Sequence, residues 1–406
     1  MSEASPSPIL TASRADQPGA RARVRLLKRL TDVVCLPASR VNAFERAMTA
    51  DLLVELLREA SLGERERVAR RLTVLNAPPG PLVRLLLRDE LSVARPLLVD
   101  AATLSDADLI ACLYQAGPEH RRLIAQRRGV GEVVTDALIE LDEEAVAEAL
   151  LRNDLAQLSH HGVEHLVAAS RDAPRLIPLL LRRAELRPSH AYVLFWWADA
   201  ETRRGLLQRF ALTREILREA IGDVLEGAAG ERWEDPLALK ALRFVAPDQR
   251  NPAAVDKSPY ASLDAAVAAA EPGLTREIAE EISYLCGLKP VTGAKIFADR
   301  GGEPLAILCK ATGLPRSALR ALWRGLVGEP DRGGAADASL ERALDLYDAL
   351  AVDQAQTVLR YWDAPLTSGL TPALLKAIRE GDESAVDEYS APQRAALLAL
   401  SRDFGR

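Results

Sequence analysis

The sequence is poor in aromatic residues, has few cysteines and contains no long apolar run. Phe, Trp and Tyr make up 4% of its 406 residues, and the prevalence of Ala, Leu, Glu and Arg favours helix almost throughout. The four cysteines are far apart and form no C-x-x-C pair, which argues against a disulfide framework and a cysteine zinc cage. No stretch approaches the ~20 apolar residues of a membrane span. We therefore expect an all-α protein without a membrane segment.

The N-terminal residues also lack the features of a secretory signal. They are rich in Ser, Pro and Ala, with neither a basic start nor a continuous apolar core. Residues 1–20 are therefore predicted to form a disordered tail. The same absence, together with the reduced state that isolated cysteines suggest, predicts a cytoplasmic protein.

Motifs of common enzymes and cofactor sites are missing. There is no G-x-G-x-x-G fingerprint or P-loop lysine, and no Ser-His-Asp or Cys-His pattern can be assembled. His161 and His165 stand four residues apart, a spacing that can bind zinc on a helix. Gly162 and the lack of a third ligand favour a polar turn instead. We expect no enzymatic activity, no cofactor and no metal.

The net charge of −6 offers no overall field that would draw the chain onto nucleic acid, although local basic patches remain open. Only seven of the 52 basic residues are lysines. We interpret this preference for Arg mainly as coding bias, because exposed Arg and Lys have similar helix propensities.

A repeat begins at each of three aspartates, Asp89, Asp142 and Asp172. Each is predicted to start a helix by accepting hydrogen bonds from free backbone N–H groups. Apolar residues follow four, five, eight and nine positions later, which makes one buried helical stripe. The three stripes are Val93, Ala94, Leu97 and Leu98; Val146, Ala147, Leu150 and Leu151; and Leu176, Ile177, Leu180 and Leu181.

The unequal separations of these copies suggest one or two helices between them, as in a HEAT-like α-solenoid of short stacked helix pairs. We place this solenoid at residues 21–246. Prolines amid small residues then predict a linker or long connection at residues 247–273. A C-terminal helical module is predicted for residues 274–406.

The C-terminal module has a weak repeat of its own, centred on Gly287 and Gly313. Each glycine is predicted to follow a helix end. The second copy resembles a helix-turn-helix at residues 305–326, in which Leu308 and Leu319 would pack the helices together. Its second helix offers candidate nucleic-acid-binding residues, namely Arg316, Ser317, Arg320 and Arg324. Cys309 in place of a small Ala and the position of Pro315 favour ordinary packing instead.

A second candidate surface surrounds two adjacent tryptophans in the solenoid. Arginines beside aromatics on a concave face could anchor a protein partner, or hold a phosphate backbone as in helical-repeat DNA glycosylases, with Asp199 as the carboxylate. Helical ion pairing and tryptophan packing are the alternatives that leave no binding role. The candidate partner-binding residues are Trp196, Trp197, Arg203, Arg204 and Arg209.

Two stretches carry short motifs that are shared with a known bacterial family. They run from residue 82 to about 210, and from Lys289 to Pro315. On these motifs the chain resembles an alphaproteobacterial family catalogued as a domain of unknown function, over about three quarters of its length. The resemblance implies a helical-repeat, HEAT-like fold, and it implies no catalytic residue or ligand. The motifs are Asp89-Glu-Leu-Ser-Val-Ala-Arg-Pro-Leu-Leu98, Leu104-Ser-Asp-Ala-Asp-Leu109, Ile124-Ala-Gln-Arg127, Ala149-Leu-Leu-Arg-Asn153, Lys289-Pro-Val291, Ile296-Phe-Ala-Asp299 and Ala311-Thr-Gly-Leu-Pro315.

Stacked helix pairs create an extended surface with few deep pockets, which suits the binding of extended partners more than catalysis. We therefore expect a non-enzymatic protein-interaction or regulatory scaffold with a protein partner of unknown identity, and self-association stays open. A nucleic-acid-binding protein, through residues 305–326 or through the Arg/Trp surface, is the alternative.

Overall fold

The computed structural model describes residues 18–231, 235–246, 249–328 and 335–363, and every regular element in these ranges is helical. The chain divides into two compact units, residues 1–162 and residues 163–406. None of the described helices is both long and apolar enough to cross a membrane. Most of the tail predicted at residues 1–20, and the helices predicted beyond residue 363, lie outside the described residues.

The first unit, called unit 1 here, is a succession of short helices joined by tight turns. The helix that follows them, α10 (His160–Ala169), contains the division between the units. The unit 1 helices are α1 (Pro18–Val34), α2 (Ala43–Arg58), α3 (Leu62–Leu72), α4 (Gly80–Leu87), α5 (Leu91–Asp100), α6 (Asp106–Gln115), α7 (Pro118–Ala125), α8 (Glu132–Ile139) and α9 (Glu144–Leu151).

Alternate helices of unit 1 pack side by side in two rows. Helices α2, α4, α6 and α8 form one row, helices α3, α5, α7 and α9 form the other, and α1 packs against α2 and α3. The predicted stripe of α5 is buried, since Val93, Ala94, Leu97 and Leu98 have no exposed surface. The stripe of α5 is therefore buried between its own row and the facing row.

The predicted role of the repeated aspartates is wrong. Helix α5 begins after Glu90, and Asp89 lies one residue too early to cap it. The Asp89 carboxylate instead accepts hydrogen bonds from Arg65, with Nε to Oδ2 at 2.7 Å, and from the Glu90 N–H. Asp142 likewise precedes the cap residue Glu143 and has a left-handed backbone, with φ 52°. The repeat marks a turn and an inter-helix tie rather than a cap.

Polar side chains tie successive helices of the second row at their C-terminal ends. Arg127 donates to the carbonyls of Leu98 and Ala101 at the end of α5, the latter at 2.8 Å. Asn153 donates to Ala125 O at 2.9 Å and to Arg127 O at 2.6 Å at the end of α7. Carbonyls that a helix end leaves without partners are thus satisfied by the residue that follows the next helix in the row.

The second unit, unit 2, begins with short helices and ends with longer ones. Its helices are α11 (Ile177–Arg182), α12 (Pro188–Leu194), α13 (Ala200–Phe210), α14 (Glu215–Ala220), α15 (Gly222–Glu231), α16 (Pro236–Val245), α17 (Pro252–Val255), α18 (Leu263–Ala270), α19 (Arg276–Leu285), α20 (Pro290–Ala298), α21 (Glu303–Ala311), α22 (Arg316–Val327), α23 (Ala335–Ala349) and α24 (Val352–Asp363). The third repeat stripe spans a short 3-10 turn at Pro174–Leu176 and α11.

The boundary between the units does not fall at residues 247–273, where the sequence predicts a linker. That segment contains α17 and α18, and α18 packs on α19 and α22. Its small side chains permit close packing, with Ala266 and Ala270 fully buried. The Leu274 N–H also donates to Gly325 O at 2.9 Å. Prolines here break helices without separating domains.

The predicted repeat of a glycine after a helix end, at Gly287 and Gly313, is confirmed. Gly287 and Gly313 both have φ 71°, a left-handed conformation that glycine adopts without strain. The following Leu288 and Leu314 each donate at 2.9 Å to a carbonyl five residues back. Both turns therefore end a helix with the same Schellman geometry and produce two helical hairpins, α19–α20 and α21–α22.

Candidate functional site

The two tryptophans predicted to anchor a partner are half-buried in unit 2. The ring of Trp196 lies 4.7 Å from that of Trp362 and 6.0 Å from that of Phe195, centroid to centroid. The indole N–H of Trp197 donates to Ser170 Oγ at 3.1 Å. Aromatic packing and a satisfied N–H account for both residues, so neither side chain projects freely toward a partner.

Arg203, another predicted anchor, is buried inside unit 2. Its NH2 lies 2.7 Å from Asp299 Oδ2 and its NH1 lies 3.1 Å from Glu303 Oε2, while Nε donates to Phe195 O. Burial lowers the pKa of Arg203, but hydrogen bonds and charges from the two carboxylates outweigh burial and raise it. The guanidinium is an internal cation that fastens α13 to the start of α21.

Arg209 and Arg204 complete the predicted set, and their environments differ. Arg209 donates to the carbonyls of Leu181 and Arg183, the latter at 2.8 Å, and so satisfies the C-terminal end of α11. Arg204 is exposed. Of the five predicted residues, Arg204 and Arg209 are exposed, and Arg209 also satisfies backbone carbonyls.

Asp199 caps a helix. Its Oδ1 accepts from the Thr202 N–H at 2.7 Å at the start of α13. Hydrogen bonds from Thr202, the backbone N–H first, lower the pKa of Asp199. Helix capping is therefore sufficient to account for an Asp at this position.

The four candidate nucleic-acid-binding residues share one face of α22. Arg316, Ser317, Arg320 and Arg324 are all exposed. Arg316 NH1 lies 3.3 Å from Asp348 and Arg324 NH1 lies 3.4 Å from Glu271, in exposed ion pairs. The opposite face is buried through Ala318, Leu319, Leu322 and Trp323. The structure therefore groups these residues as the sequence predicts, in a polar face that neighbouring carboxylates partly neutralise.

A buried Glu–His pair joins Glu164 on α10, next to His165, to His190 on α12. His190 Nε2 lies 3.4 Å from Glu164 Oε1, and both side chains are almost fully buried. His190 Nδ1 accepts from the Arg187 N–H at 3.4 Å. Neutral imidazole with an accepting Nδ1 carries its proton on Nε2, which donates to Glu164. His160 stands one turn before Glu164 on α10, and the three residues carry possible metal-ligand atoms.

Three exposed apolar side chains of unit 1 are aligned on α2. Phe44, Met48 and Leu52 are 78%, 52% and 51% exposed. Their spacing of four residues aligns them in one stripe along the helix. Thr49, Ala50, Leu53 and Leu57 fill the opposite, buried face. This helix therefore has two apolar faces. One packs inside unit 1 and the other is exposed.

Sequence inspection missed the α2 stripe. The apolar spacing from Val41 onward predicts a helix but does not say which face is buried. The signal in the sequence was that α2 has more apolar residues than one buried face needs. An amphipathic helix packed on one side has polar residues on its other face. A second face that combines apolar residues with Asp51 and Glu55 is typical of a surface that another protein covers.

The described part of the structure is all-helical, and in unit 1 short helices pack alternately in two rows. A family model described as an uncharacterised protein conserved in bacteria, DUF2336, matches residues 93–360. The chain belongs to this family. No curated protein and no solved structure matches it. The α2 stripe lies before the matched residues.

Proposed function

We propose that this protein is a non-enzymatic protein-interaction scaffold whose unit 1 is a HEAT-like solenoid. Two rows of short helices, each packed on the next member of its row, support the solenoid, since this is how stacked helix pairs bury a continuous core. Such a stack presents side chains of successive helices on an extended surface. The alphaproteobacterial restriction of the family stays a prediction from its sequence motifs.

The observation that carries the proposal is the exposed stripe of α2. Three aligned apolar side chains, Phe44, Met48 and Leu52, expose half or more of their surface. Isolated exposed apolar residues are ordinary, whereas an aligned group with a charged border is typical of an interaction site. Burial of the three apolar side chains on binding would supply the affinity. The charged residues beside them, Asp51 and Glu55, would orient the partner.

Photo-crosslinking tests this proposal. The photoreactive residue p-benzoylphenylalanine replaces Phe44 in the full chain, and a second chain carries it in place of the exposed Val133 on α8 as a matched control. We expect one defined protein adduct at position 44 in the native cell, absent at position 133. The adduct should disappear when Met48 and Leu52 are both changed to Ser. Adducts of equal yield at both positions, or none at position 44, would contradict a binding role for α2.

The shared face of α22 favours nucleic-acid binding as a second candidate function. Arg316, Arg320 and Arg324 lie one helical turn apart on an exposed face, a spacing that places them along one groove or phosphate row. A fluorescence-anisotropy titration with mixed-sequence duplex DNA at about 50 mM salt tests it. Salt-sensitive binding that is lost when all three arginines become Ala supports the candidate, and no binding by the unmodified protein removes it.

A further inference from the structure

The hairpin of α1 and α2 carries opposite charges on its two helices. On α1, the exposed Arg25 and Arg29 stand one turn apart. On α2, the exposed Asp51 and Glu55 have the same spacing. Neither Arg25, Arg29 nor Asp51 forms an ion pair with any described residue, and Glu55 pairs only with Arg58 on its own helix, 3.2 Å away. The two charge pairs are therefore available for contacts with another surface.

Each charge pair borders an apolar line. Beside Arg25 and Arg29, the residues Ala22, Leu26 and Leu30 follow at four-residue spacing, and Leu26 is 49% exposed. Beside Asp51 and Glu55 lies the α2 stripe. A four-residue spacing keeps side chains in line along a helix. Helices α1 and α2 thus carry opposite charges, and each has three apolar residues at four-residue spacing.

The two helices pack side by side. Arg23 NH1 near the start of α1 lies 3.8 Å from Glu59 Oε2 just after the end of α2, and these side chains are 50% and 74% exposed. This contact shows that the helices run antiparallel. Both helices of the hairpin thus present exposed side chains to solvent.

Electrostatics selects among the surfaces that could cover this face. Pairing α2 with α2 of a second copy would oppose carboxylates to carboxylates, which is unfavourable. Helix α22 is basic on its exposed face, but its large apolar side chains Leu319, Leu322 and Trp323 are buried. Helix α1 combines exposed arginines with the exposed Leu26. It therefore matches α2 in both respects.

We propose that two copies of this chain associate through their α1–α2 hairpins, with α1 of each copy lying on α2 of the other. A twofold axis makes both contacts at once, because an isologous pair places each surface against its complement. The proposal rests on the proposed function, in that it names a second copy as the partner of the α2 stripe.

The size of the face sets the expected strength. Two helices of about 16 residues are about 24 Å long at a rise of 1.5 Å per residue and lie roughly 10 Å apart. They offer roughly 500 Å² per copy, at the lower end of the range for specific interfaces. We therefore expect a dimer with a Kd on the order of micromolar, which weakens in high salt because its charges are near solvent.

Sedimentation equilibrium with charge-reversed full-length chains provides the test. Arg25→Glu with Arg29→Glu makes both helices acidic, and Asp51→Lys with Glu55→Lys makes both basic, so each variant should be monomeric where the unmodified protein is dimeric. A chain with all four changes regains complementarity and should dimerise. An equimolar mixture of the two double variants should form a heterodimer. Tyr114→Asp, an exposed apolar position on α6, is the control and should leave the dimer unchanged.

Oxidative footprinting of Met48 gives a second readout, because the only other methionine is Met1. Protection of Met48 that increases with protein concentration supports the dimer. Protection at every concentration places a segment of the same chain on α2, and the absence of protection leaves the face bare; either result overturns the proposal. Circular dichroism verifies that the variants are folded.

Failure of the dimer is distinguishable from failure of the proposed function. Monomeric behaviour at about 200 µM in low salt, or dimerisation unaffected by every charge reversal, would overturn the pairing of α1 with α2. The crosslink from position 44 would then join a different protein if the scaffold proposal holds. A crosslink to the chain itself, at α1, is the result expected for both.

Discussion

Unit 1 and unit 2 differ in how far along the chain their polar ties reach. In unit 1, Arg65 binds Asp89, 24 residues away, and Asn153 binds Ala125 O, 28 residues away. In unit 2, Arg203 binds Asp299 across 96 residues and Arg214 binds Asp353 across 139. These ties in unit 1 join neighbouring helices. Unit 2 has short-range ties as well, such as Arg209 to Arg183 O, but it adds ties that close long loops of chain.

This difference affects how each unit responds to damage. A repeat array is stabilised by contacts between neighbours, so a lost tie loosens mainly the adjacent helices. A long-range tie at a buried position joins segments that are far apart in the chain. We therefore expect local effects of mutation in unit 1 and cooperative effects in unit 2.

The most damaging change expected is Arg203→Ala. It leaves the buried carboxylates of Asp299 and Glu303 without their main cation, which costs about 3–5 kcal/mol. Urea unfolding followed by circular dichroism measures the loss, and hydrogen exchange should show α13, α20 and α21 opening together. Arg204→Ala on the same helix is the control, with a change within about 0.5 kcal/mol. Equal stability of the two variants would contradict the expectation that long-range ties make unit 2 sensitive to mutation.

Asp353→Asn tests the second long-range tie through its pH dependence. Burial disfavours the Asp353 carboxylate, but hydrogen bonds from the Arg214 N–H and side chain, with the Arg214 and Arg218 charges, outweigh burial and lower its pKa. Its stabilising contribution is therefore present above the unfolded pKa of about 4 and is lost as pH falls through the lower folded pKa. We expect a loss of about 2–3 kcal/mol at pH 7.

The gap between Asp353→Asn and the unmodified protein should shrink as the pH falls below about 4. The exposed Asp345 supplies the matched control, since Asp345→Asn should show neither the loss nor the pH dependence. A gap that stays constant down to pH 2 would mean that the charge of Asp353 is not what fastens α24.

Arg127→Ala tests the unit 1 side of the comparison. The change removes hydrogen bonds to the C-terminal carbonyls of α5 and costs about 1–2 kcal/mol. Hydrogen exchange should increase at the end of α5 and in α7, while α2 and α3 keep their protection. Arg128→Ala, at the exposed neighbouring position, should change nothing measurable. Loss of protection throughout unit 1 would show that the array is more cooperative than its short-range ties indicate.

Asp199→Ala should have the smallest effect, about 1 kcal/mol, because it removes one helix cap. Asp199→Asn keeps an accepting oxygen and should cost less. Thermal unfolding near neutral pH measures both. A base-excision assay on the unmodified protein separates this structural role from a glycosylase, in which Asp199 would act on substrate; detectable excision that Asp199→Asn abolishes would contradict the capping interpretation.

Sequence patterns predicted the elements governed by local rules. The buried stripe of α5 and the paired glycine turns at Gly287 and Gly313 follow from helical period and from the backbone freedom of glycine. The environment of Arg203 could not be predicted, because its partners Asp299 and Glu303 are about 100 residues away. Local spacing cannot distinguish a long-range buried ion pair from an exposed cation.

The abundance of arginine also has a structural component that composition did not reveal. Arg214 donates from Nε to Asp353 Oδ1 at 3.1 Å, from NH2 to Gln356 Oε1 at 2.5 Å and from NH1 to Phe244 O at 2.7 Å. Lysine has a single nitrogen and cannot span three acceptors in this way. Coding bias explains exposed arginines, but these buried positions require the guanidinium itself.

The burial of the cysteines gives each unit a chemical reporter of its own opening. Burial raises the pKa of Cys112 in unit 1 to about 11 and that of Cys286 in unit 2 to about 12, so neither thiol is ionised at neutral pH. Cys35 is the more accessible thiol and can be replaced by Ser. A thiol reagent would then modify Cys112 and Cys286 at rates set by exposure of their surroundings. Mass spectrometry of the two peptides would time the opening of each unit within one unlabelled, full-length molecule.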